Sequence, residues 1–213
     1  GRRSRRRPGR ERHAVSARRF LGRVARAALV GAGLLTLAAC ASASKPEQMT
    51  ITASTVPAVA PGAPGYKAFR VIAVQGGGDT NPLWMSNVSD KDFKVALEAS
   101  LKGLNYLADS SDKASLELTA SIVDLQRPLA GIDMSVTSKV RYSAIPVGGG
   151  APVFDDTVAA TGTAHFGESL LAVERLRKAN EAAMRANIEA FVKRLQDGLK
   201  VKGGASSASM YQQ

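Results

Sequence analysis

Alternation of apolar and polar positions predicts several strands in this chain. Residues 132–144 alternate, which predicts a strand with one dry and one wet face. Residues 116–122 alternate in the same way, and the pattern slips phase at Val123, which predicts a bulge. The mostly apolar run 67–75 predicts a well-covered strand, and 153–164 predicts a partner for 132–144 across a glycine-containing turn. The apolar positions of the longest alternation are Ile132, Met134, Val136, Val140, Tyr142 and Ala144.

Apolar residues at helical spacing predict two helices. The first runs from Asp90 to Lys102, with Ser89 as its N-cap and Gly103 as its C-terminal stop. The second runs from about Ser169 to Asp197, with Gly198 beyond it. Its apolar stripe consists of Val173, Leu176, Met184, Ile188, Phe191, Val192 and Leu195.

The predicted order is a strand, a helix, three strands and a helix. Because the clearest strands have one polar face, we expect antiparallel pairing with a single covered face. The helices supply the cover. The sequence therefore predicts an α+β domain over residues 66–200: an antiparallel sheet of about four strands with two helices packed on one face, in the order β-α-β-β-β-α.

Residues 40–65 and 201–213 flank this domain and differ from it in composition. The first segment is rich in Ala, Ser, Thr and Pro, which predicts a flexible tether. Within it, Met49 and Ile51 alternate with threonines, so a short edge strand over 48–56 is a second interpretation. The last segment is small and polar, which predicts a disordered tail.

An apolar segment near the N-terminus has the features of an export signal. Ala27 to Leu37 is eleven residues long, shorter than the ~20 residues that span a bilayer core and typical of the apolar region of a signal peptide. Eleven arginines precede it. We therefore interpret residues 1–39 as a signal peptide with an extended basic n-region.

The motif Leu37-Ala38-Ala39-Cys40 ends this segment and contains the only cysteine of the chain. It resembles the lipobox of bacterial lipoprotein precursors, in which an aliphatic residue and two small residues precede the cysteine that becomes the lipid-bearing first residue. The resemblance implies acyl chains on Cys40, and two or more chains hold a protein on a membrane almost permanently. Ala41 stands where Asp signals inner-membrane retention in enterobacterial lipoproteins, which implies a lipid-anchored outer-membrane protein facing the periplasm.

Dividing the formal charge of +11 by position removes nucleic acid from the expected partners. Residues 1–39 carry eleven arginines and one acidic residue, Glu11, so their net charge is +10. Residues 40–213 hold 18 basic and 17 acidic residues and are close to neutral. A nearly neutral domain lacks the clustered positive charge that binding to a phosphate backbone requires.

The domain offers no recognisable catalytic or metal-binding constellation. Gly76-Gly77-Gly78 follows a strand, but neither the dinucleotide nor the phosphate-loop pattern continues from it, which favours a turn. His165 is the only histidine after the signal peptide and has no Cys or His partner for a metal. Asp155 and Asp156 are adjacent on a strand, so their side chains point to opposite faces. We assign no catalytic residue, metal or cofactor and do not expect an enzyme.

Trp84 is the only tryptophan and lies in the loop 79–88, before the first helix. Tryptophan rings often anchor a partner or rest in an interface. We interpret Asn81, Leu83, Trp84 and Asn87 as a candidate binding loop. A plug over one end of the core is an equally supported interpretation of the ring, and Trp84→Ala separates the two, because a plug affects stability alone.

Three stretches of the domain resemble a group of small uncharacterised lipoproteins of alphaproteobacteria. They are the loop from Thr80 to Val88, Arg141-Tyr142-Ser143, and the helical stretch from Glu174 to Glu181. The architecture is also similar to that of YajG-like lipoproteins and, more distantly, of accessory lipoproteins of envelope transport systems. Some members of the alphaproteobacterial group carry the name UDP-N-acetylglucosamine acyltransferase. That name implies a left-handed β-helix built from hexapeptide repeats, and no such period occurs in this sequence.

The lipobox and these resemblances imply a non-enzymatic lipoprotein that acts by protein contact in outer-membrane or periplasmic assembly or transport. Its partners would be the membrane, through acyl chains on Cys40, and an envelope protein. The alternative is a periplasmic module that binds a lipid or glycan in a groove between sheet and helices. An acyltransferase is the third interpretation.

Overall fold

A four-stranded sheet and three α-helices make up the described part of the chain, residues 42–80, 86–128 and 131–210 of a computed structural model. The lipobox from Leu37 to Cys40 and the loop residues Asn81, Leu83 and Trp84 lie outside the described residues. The strands are β1 (Phe69–Gln75), β2 (Leu116–Gln126), β3 (Met134–Pro146) and β4 (Phe154–Ala164), and the helices are α1 (Pro46–Met49), α2 (Asp90–Gly103) and α3 (Ala172–Met210).

The sheet is mixed and has the strand order β1-β2-β3-β4. Strands β2, β3 and β4 pair antiparallel, as expected, but β1 lies parallel to β2 with Phe69 opposite Leu116. The α+β class and the number of strands therefore agree with the sequence-based expectation, whereas the expected two helices omit α1 and the wholly antiparallel sheet is wrong. The reason is that α2 lies between β1 and β2, and a crossover helix returns the chain to the starting edge, so the second strand runs in the same direction as the first.

The apolar alternations of β2 and β3 face the core. Val136, Val140 and Tyr142 are fully buried on β3. The bulge expected at Val123 is present, since the β2–β3 register shifts between Ile122 and Asp124. Ile132 does not belong to the dry face: it precedes β3 and is 75% exposed.

Helix α2 begins where its N-cap predicts and ends one residue later than expected, since Gly103 is its last residue and Leu104 is its C-cap. The Ser89 hydroxyl accepts a hydrogen bond of 3.0 Å from the backbone N–H of Asp92, and two acidic residues lie in the first turn, where the helix dipole favours them. Its apolar face, which includes Phe93 and Leu97, is fully buried. The helix closes the core beside β1.

Helix α3 continues past its expected end. The expectation placed the last helical residue near Asp197 and a disordered tail at 201–213, whereas the helix runs through Gly198 to Met210. A glycine costs a helix only about 1 kcal/mol relative to alanine. Leu199 is buried against the core, and its packing offsets that cost.

The interface between α3 and the sheet is filled. The ring of Tyr142 on β3 stacks on Phe191 of α3, with centroids 3.9 Å apart and planes 7° from parallel. A Cβ on Gly162 of β4 would lie 2.1 Å from the backbone nitrogen of Ala183, so this glycine lets the helix approach the strand closely. At these two places α3 and the sheet are therefore in direct contact, and a polar pocket lies between Thr163 of β4 and the first half of α3.

The segment after residue 42 packs into the domain, which differs from the flexible tether expected for 40–65 and from the edge strand expected for 48–56. Met49, at the end of α1, and Ile51 and Val56 beyond it are each no more than 2% exposed. The backbone N–H of Ile51 donates to the buried Ser100 hydroxyl of α2 at 3.1 Å. Three apolar side chains inserted among small and polar ones are enough to fix this stretch.

Candidate functional site at the entry end of the domain

Several loops converge at one end of the sheet. Gln126 of β2 lies opposite Thr137, and Met134 of β3 lies opposite Ala164, so the end of β2, the start of β3 and the end of β4 are neighbours. Because β1 is parallel to β2, it also runs toward this end, and its last residue, Gln75, lies opposite Ser121. We call it the entry end, because Ser42, the first described residue, lies there. The entry end comprises residues 42–45, 76–80, 86–88, 127–128, 131–133 and 165–171.

Backbone and hydroxyl hydrogen bonds hold the chain in place where it enters the domain. The Ser86 hydroxyl donates to the carbonyl oxygen of Ser42 at 2.9 Å. The backbone N–H of Ser44 donates to the carbonyl oxygen of Asn87 at 3.3 Å. The backbone N–H of Lys45 donates to Oε1 of Glu181 at 2.9 Å. The path of the polypeptide is therefore fixed from two residues after Cys40.

A charged cluster on α3 supplies the acceptor for this segment. Arg177 donates to Glu174 at 2.7 Å and to Glu181 at 2.8 Å, an arrangement that i,i+3 and i,i+4 spacing allows. Glu181 is only 4% exposed. The hydrogen bond with Glu174 raises the pKa of Arg177 against the opposing effect of burial, and the same bond lowers the pKa of Glu174. Arg177 and Glu174 therefore stay ionised at neutral pH.

Asn180 and Arg127 hold the loop residues next to Ser42. The side-chain nitrogen of Asn180 donates to the carbonyl oxygen of Ser86 at 2.9 Å, and Arg127 donates to the amide oxygens of both Asn180 and Asn87. The side-chain nitrogen of Asn87 donates to the carbonyl oxygen of Asp79 at 2.8 Å. Asn87, one of the four candidate binding residues, therefore uses both ends of its amide to shape the loop.

The glycine run after β1 forms a turn. Gly76 has φ +87, and a Cβ there would lie 2.2 Å from the carbonyl oxygen of Ile122. The backbone N–H of Gly77 donates to Oδ1 of Asp90 at 2.6 Å, and that of Gly78 donates to the carbonyl oxygen of Val88 at 3.0 Å. These two amides are occupied within the protein, as expected for a turn.

The acidic residues of β4 diverge, as expected for adjacent strand positions. Asp155 pairs with Arg141 across the open face of the sheet at 2.9 Å, whereas Asp156 pairs with Arg194 of α3 at 2.5 Å. His165 contacts Asp133 at 2.9 Å. In the described ranges no group of three His, Cys, Asp or Glu side chains is placed to hold a metal ion.

Two features of the entry end escaped the sequence pattern. Asn180 and Glu181 lie on the buried side of α3 although both are polar. The available signal was their helical spacing with Met184, which places them in line with the apolar stripe.

None of the helices in the described part of the chain has the length and apolar composition needed to cross a membrane.

Comparison with known proteins shows the fold and no family. No protein-family model and no curated protein matches the chain. Protein XCC0632 from Xanthomonas campestris, of family DUF330, has a similar structure, with a TM-score of 0.53 and 9% identity over 76% of this chain and 98% of that one. A candidate lipoprotein from Caulobacter crescentus CB15 gives 0.43 at 12% identity, covering 64% and 93%, and a PelC dodecamer from Paraburkholderia phytofirmans gives 0.44 at 16%, covering 65% and 94%. The chain therefore shares its fold with XCC0632, and the YajG-like resemblance stays a prediction.

Proposed function

We propose that this chain is a non-enzymatic lipoprotein of the bacterial envelope, held on the outer membrane by acyl chains on Cys40 and supporting an assembly or transport complex by protein contact. The observation that carries the proposal is the fixed path of the chain directly after the lipobox, where Ser42, Ser44 and Lys45 are hydrogen-bonded to the domain. Cys40 is two residues from Ser42, and an extended chain of that length spans at most about 7 Å. Acyl chains on Cys40 would bring the entry end to the membrane surface.

The proposed contact with a partner is the loop that contains Asn81, Leu83 and Trp84. Its flanking residues Ser86 and Asn87 are held by α3 and by the segment after Cys40, so the loop starts from a fixed base. A pre-organised base lowers the conformational entropy that binding costs. Trp84 precedes Ser86 by two residues in the sequence, and in this proposal it is the central contact for a protein at the membrane surface.

Photo-crosslinking in cells tests this proposal. A photoreactive phenylalanine in place of Leu83 is expected to form an adduct with one defined envelope protein. The matched control is the same residue in place of Thr161, which is exposed on the open face of the sheet. Adducts of the same proteins at both positions, or none at position 83, would contradict contact through the loop.

A small apolar cavity supports a second candidate function, the binding of a lipid. The cavity of about 240 Å³ lies between residues 57–64 and the second half of α3, and its lining includes Val59, Tyr106 and Leu199. Burial raises the pKa of Tyr106, consistent with a dry surrounding. The lining suits part of an acyl chain better than a glycan. Native mass spectrometry would detect a retained lipid, and Ala63→Phe, which fills the cavity, would abolish its retention.

A further inference from the structure

We infer that two loops of the entry end insert apolar side chains into the boundary between headgroups and acyl chains of the membrane; this inference rests on the proposed anchoring through Cys40. Eight large apolar side chains are exposed in the described part of the chain, and four of them lie in these loops. Leu170 is 81% exposed and Ile132 is 75% exposed. Phe166 and Leu171 complete the set. We call these four residues the apolar loop cluster.

Hydrogen bonds hold the two loops of the cluster together. The backbone N–H of Phe166 donates to Oδ1 of Asp133 at 2.9 Å, and Nδ1 of His165 lies 2.9 Å from the other carboxylate oxygen. Asp133 directly follows Ile132, so the loop after β4 is joined to the loop before β3. Apolar side chains that remain exposed on a fixed backbone indicate a surface that another phase or molecule covers.

A single arginine joins the two parts of the loop after β4. The guanidinium of Arg175 lies 5.1 Å from the centre of the Phe166 ring and donates to the carbonyl oxygen of Ser169 at 2.7 Å. Its backbone N–H donates to the carbonyl oxygen of Leu171 at 3.1 Å. Arg175 is itself 5% exposed, so it fixes the loop from the inside while the apolar side chains face outward.

The path from the lipid attachment point to the cluster is short, and this selects the membrane as the occupant. Glu174 lies one helical turn after Leu171, since its backbone N–H donates to the Leu171 carbonyl oxygen at 3.1 Å. The carboxylate of Glu174 accepts a hydrogen bond of 3.4 Å from the Ser42 hydroxyl. Ser42 is two residues from Cys40, so acyl chains there would bring the cluster against the same bilayer.

Site-directed fluorescence on vesicles tests the inference with the full acylated chain. Cys40 is the only cysteine, so its acylation leaves Leu170→Cys as the one thiol that a nitrobenzoxadiazole label can modify. On vesicles of phosphatidylethanolamine and phosphatidylglycerol, we expect the label to gain several-fold in emission and to be quenched by nitroxide-bearing lipids. The control is Val147→Cys, at an exposed apolar position of the β3–β4 turn at the opposite end of the sheet, where the emission should not change.

The outcomes separate failure of the anchor from failure of the insertion. A chain that does not sediment with vesicles, and whose unsubstituted form takes up label at Cys40, overturns both proposals. A chain that sediments while the label at position 170 stays as exposed to water as the label at position 147 overturns the insertion and leaves the anchor standing. Shielding of position 170 without lipid, rising with protein concentration, would assign the cluster to a protein interface and overturn the inference.

Discussion

The backbone N–H of Lys45 donates a hydrogen bond of 2.9 Å to Glu181, which joins two residues 136 positions apart in the chain. Composition alone assigns Lys45 to a tether, whereas this bond makes it part of the domain. The bond limits the distance that the domain could move from an anchor at Cys40. A flexible segment of about twenty-five residues would let the domain move some tens of ångströms from an anchor at Cys40. A chain fixed from residue 42 would keep the domain close to such an anchor.

Loss of the Glu181 carboxylate is expected to release the entry segment. Glu181→Ala should lower the free energy of unfolding by about 2–3 kcal/mol, because it removes one partner of a buried ion pair, while Glu174 still accepts from Arg177. Amide hydrogen exchange at Lys45 should become faster. The control is Glu189→Ala, which removes an exposed i,i+4 pair with Lys193 and should cost less than about 0.5 kcal/mol. Equal effects of the two substitutions on Lys45 exchange would contradict this role.

Asn187 is expected to be among the most sensitive polar positions. It is fully buried, its nitrogen donates to the Val158 carbonyl oxygen at 2.8 Å, and its oxygen accepts from the Tyr142 hydroxyl at 2.8 Å. Asn187→Ala should destabilise by about 2–4 kcal/mol, since buried groups lose their partners. Tyr142→Phe should cost only about 1–2 kcal/mol, because it keeps the stacking on Phe191. Urea unfolding measures both, and a larger loss for Tyr142→Phe would contradict the account.

Two glycine-to-alanine substitutions are expected to have opposite signs. Gly162→Ala should destabilise by about 2–3 kcal/mol, because the new methyl group would meet the backbone of α3 at Ala183. Gly198→Ala should stabilise by up to about 1 kcal/mol, since this glycine lies inside α3 with open space around it. Thermal unfolding compares the two. A neutral or destabilising Gly198→Ala would argue against a helix that continues through this residue.

The stability of the two loops that carry the apolar loop cluster varies with pH through His165. Its hydrogen bond with Asp133 raises the pKa of His165 above the ordinary histidine value, and the same bond lowers the pKa of Asp133. The stability that protonated His165 gains from this contact is complete below the ordinary histidine pKa, and it is lost as the pH rises through the raised pKa. The stability that ionised Asp133 gains from the same contact is present above the ordinary carboxyl pKa, and it is lost as the pH falls through the lowered pKa.

An NMR titration of the imidazole protons checks this direction. The chain has two histidines, and the variant His165→Gln assigns the signal. Asp133→Asn should move the pKa of His165 back toward its ordinary value while its amide oxygen still accepts from the Phe166 backbone N–H. An unchanged titration midpoint in this variant would show that the carboxylate charge does not act on His165.

Local patterns in the sequence predicted which strands and helices form better than they predicted the relative directions of the paired strands. The phase slip at Val123 indicated the bulge, and Ser89 followed by acidic residues indicated the start of α2, because both signals lie within a few residues of the effect. The parallel pairing of β1 with β2 depends on where α2 returns the chain, and alternation within a strand carries no information on direction. The intervening helix was the signal that favoured a parallel pair.

The entry end was harder to predict, because distant residues build it. Met49 and Ile51 were visible as apolar positions, but the surrounding small and polar residues masked their burial. The spacing of Glu181 with Met184 indicates the buried side of α3, but no local pattern indicates that Lys45 lies beside it. Long-range hydrogen bonds of this kind have no periodic signature in sequence.

Mass spectrometry of the mature N-terminus, on protein purified from membranes, tests the central claim most directly. The account predicts a chain that starts at Cys40, with diacylglyceryl and N-acyl groups on this residue and none of residues 1–39 attached. Recovery of a soluble chain with a free Cys40 thiol and its arginine-rich segment still present would contradict membrane anchoring, and with it both the partner contact at the membrane surface and the insertion of the apolar loop cluster.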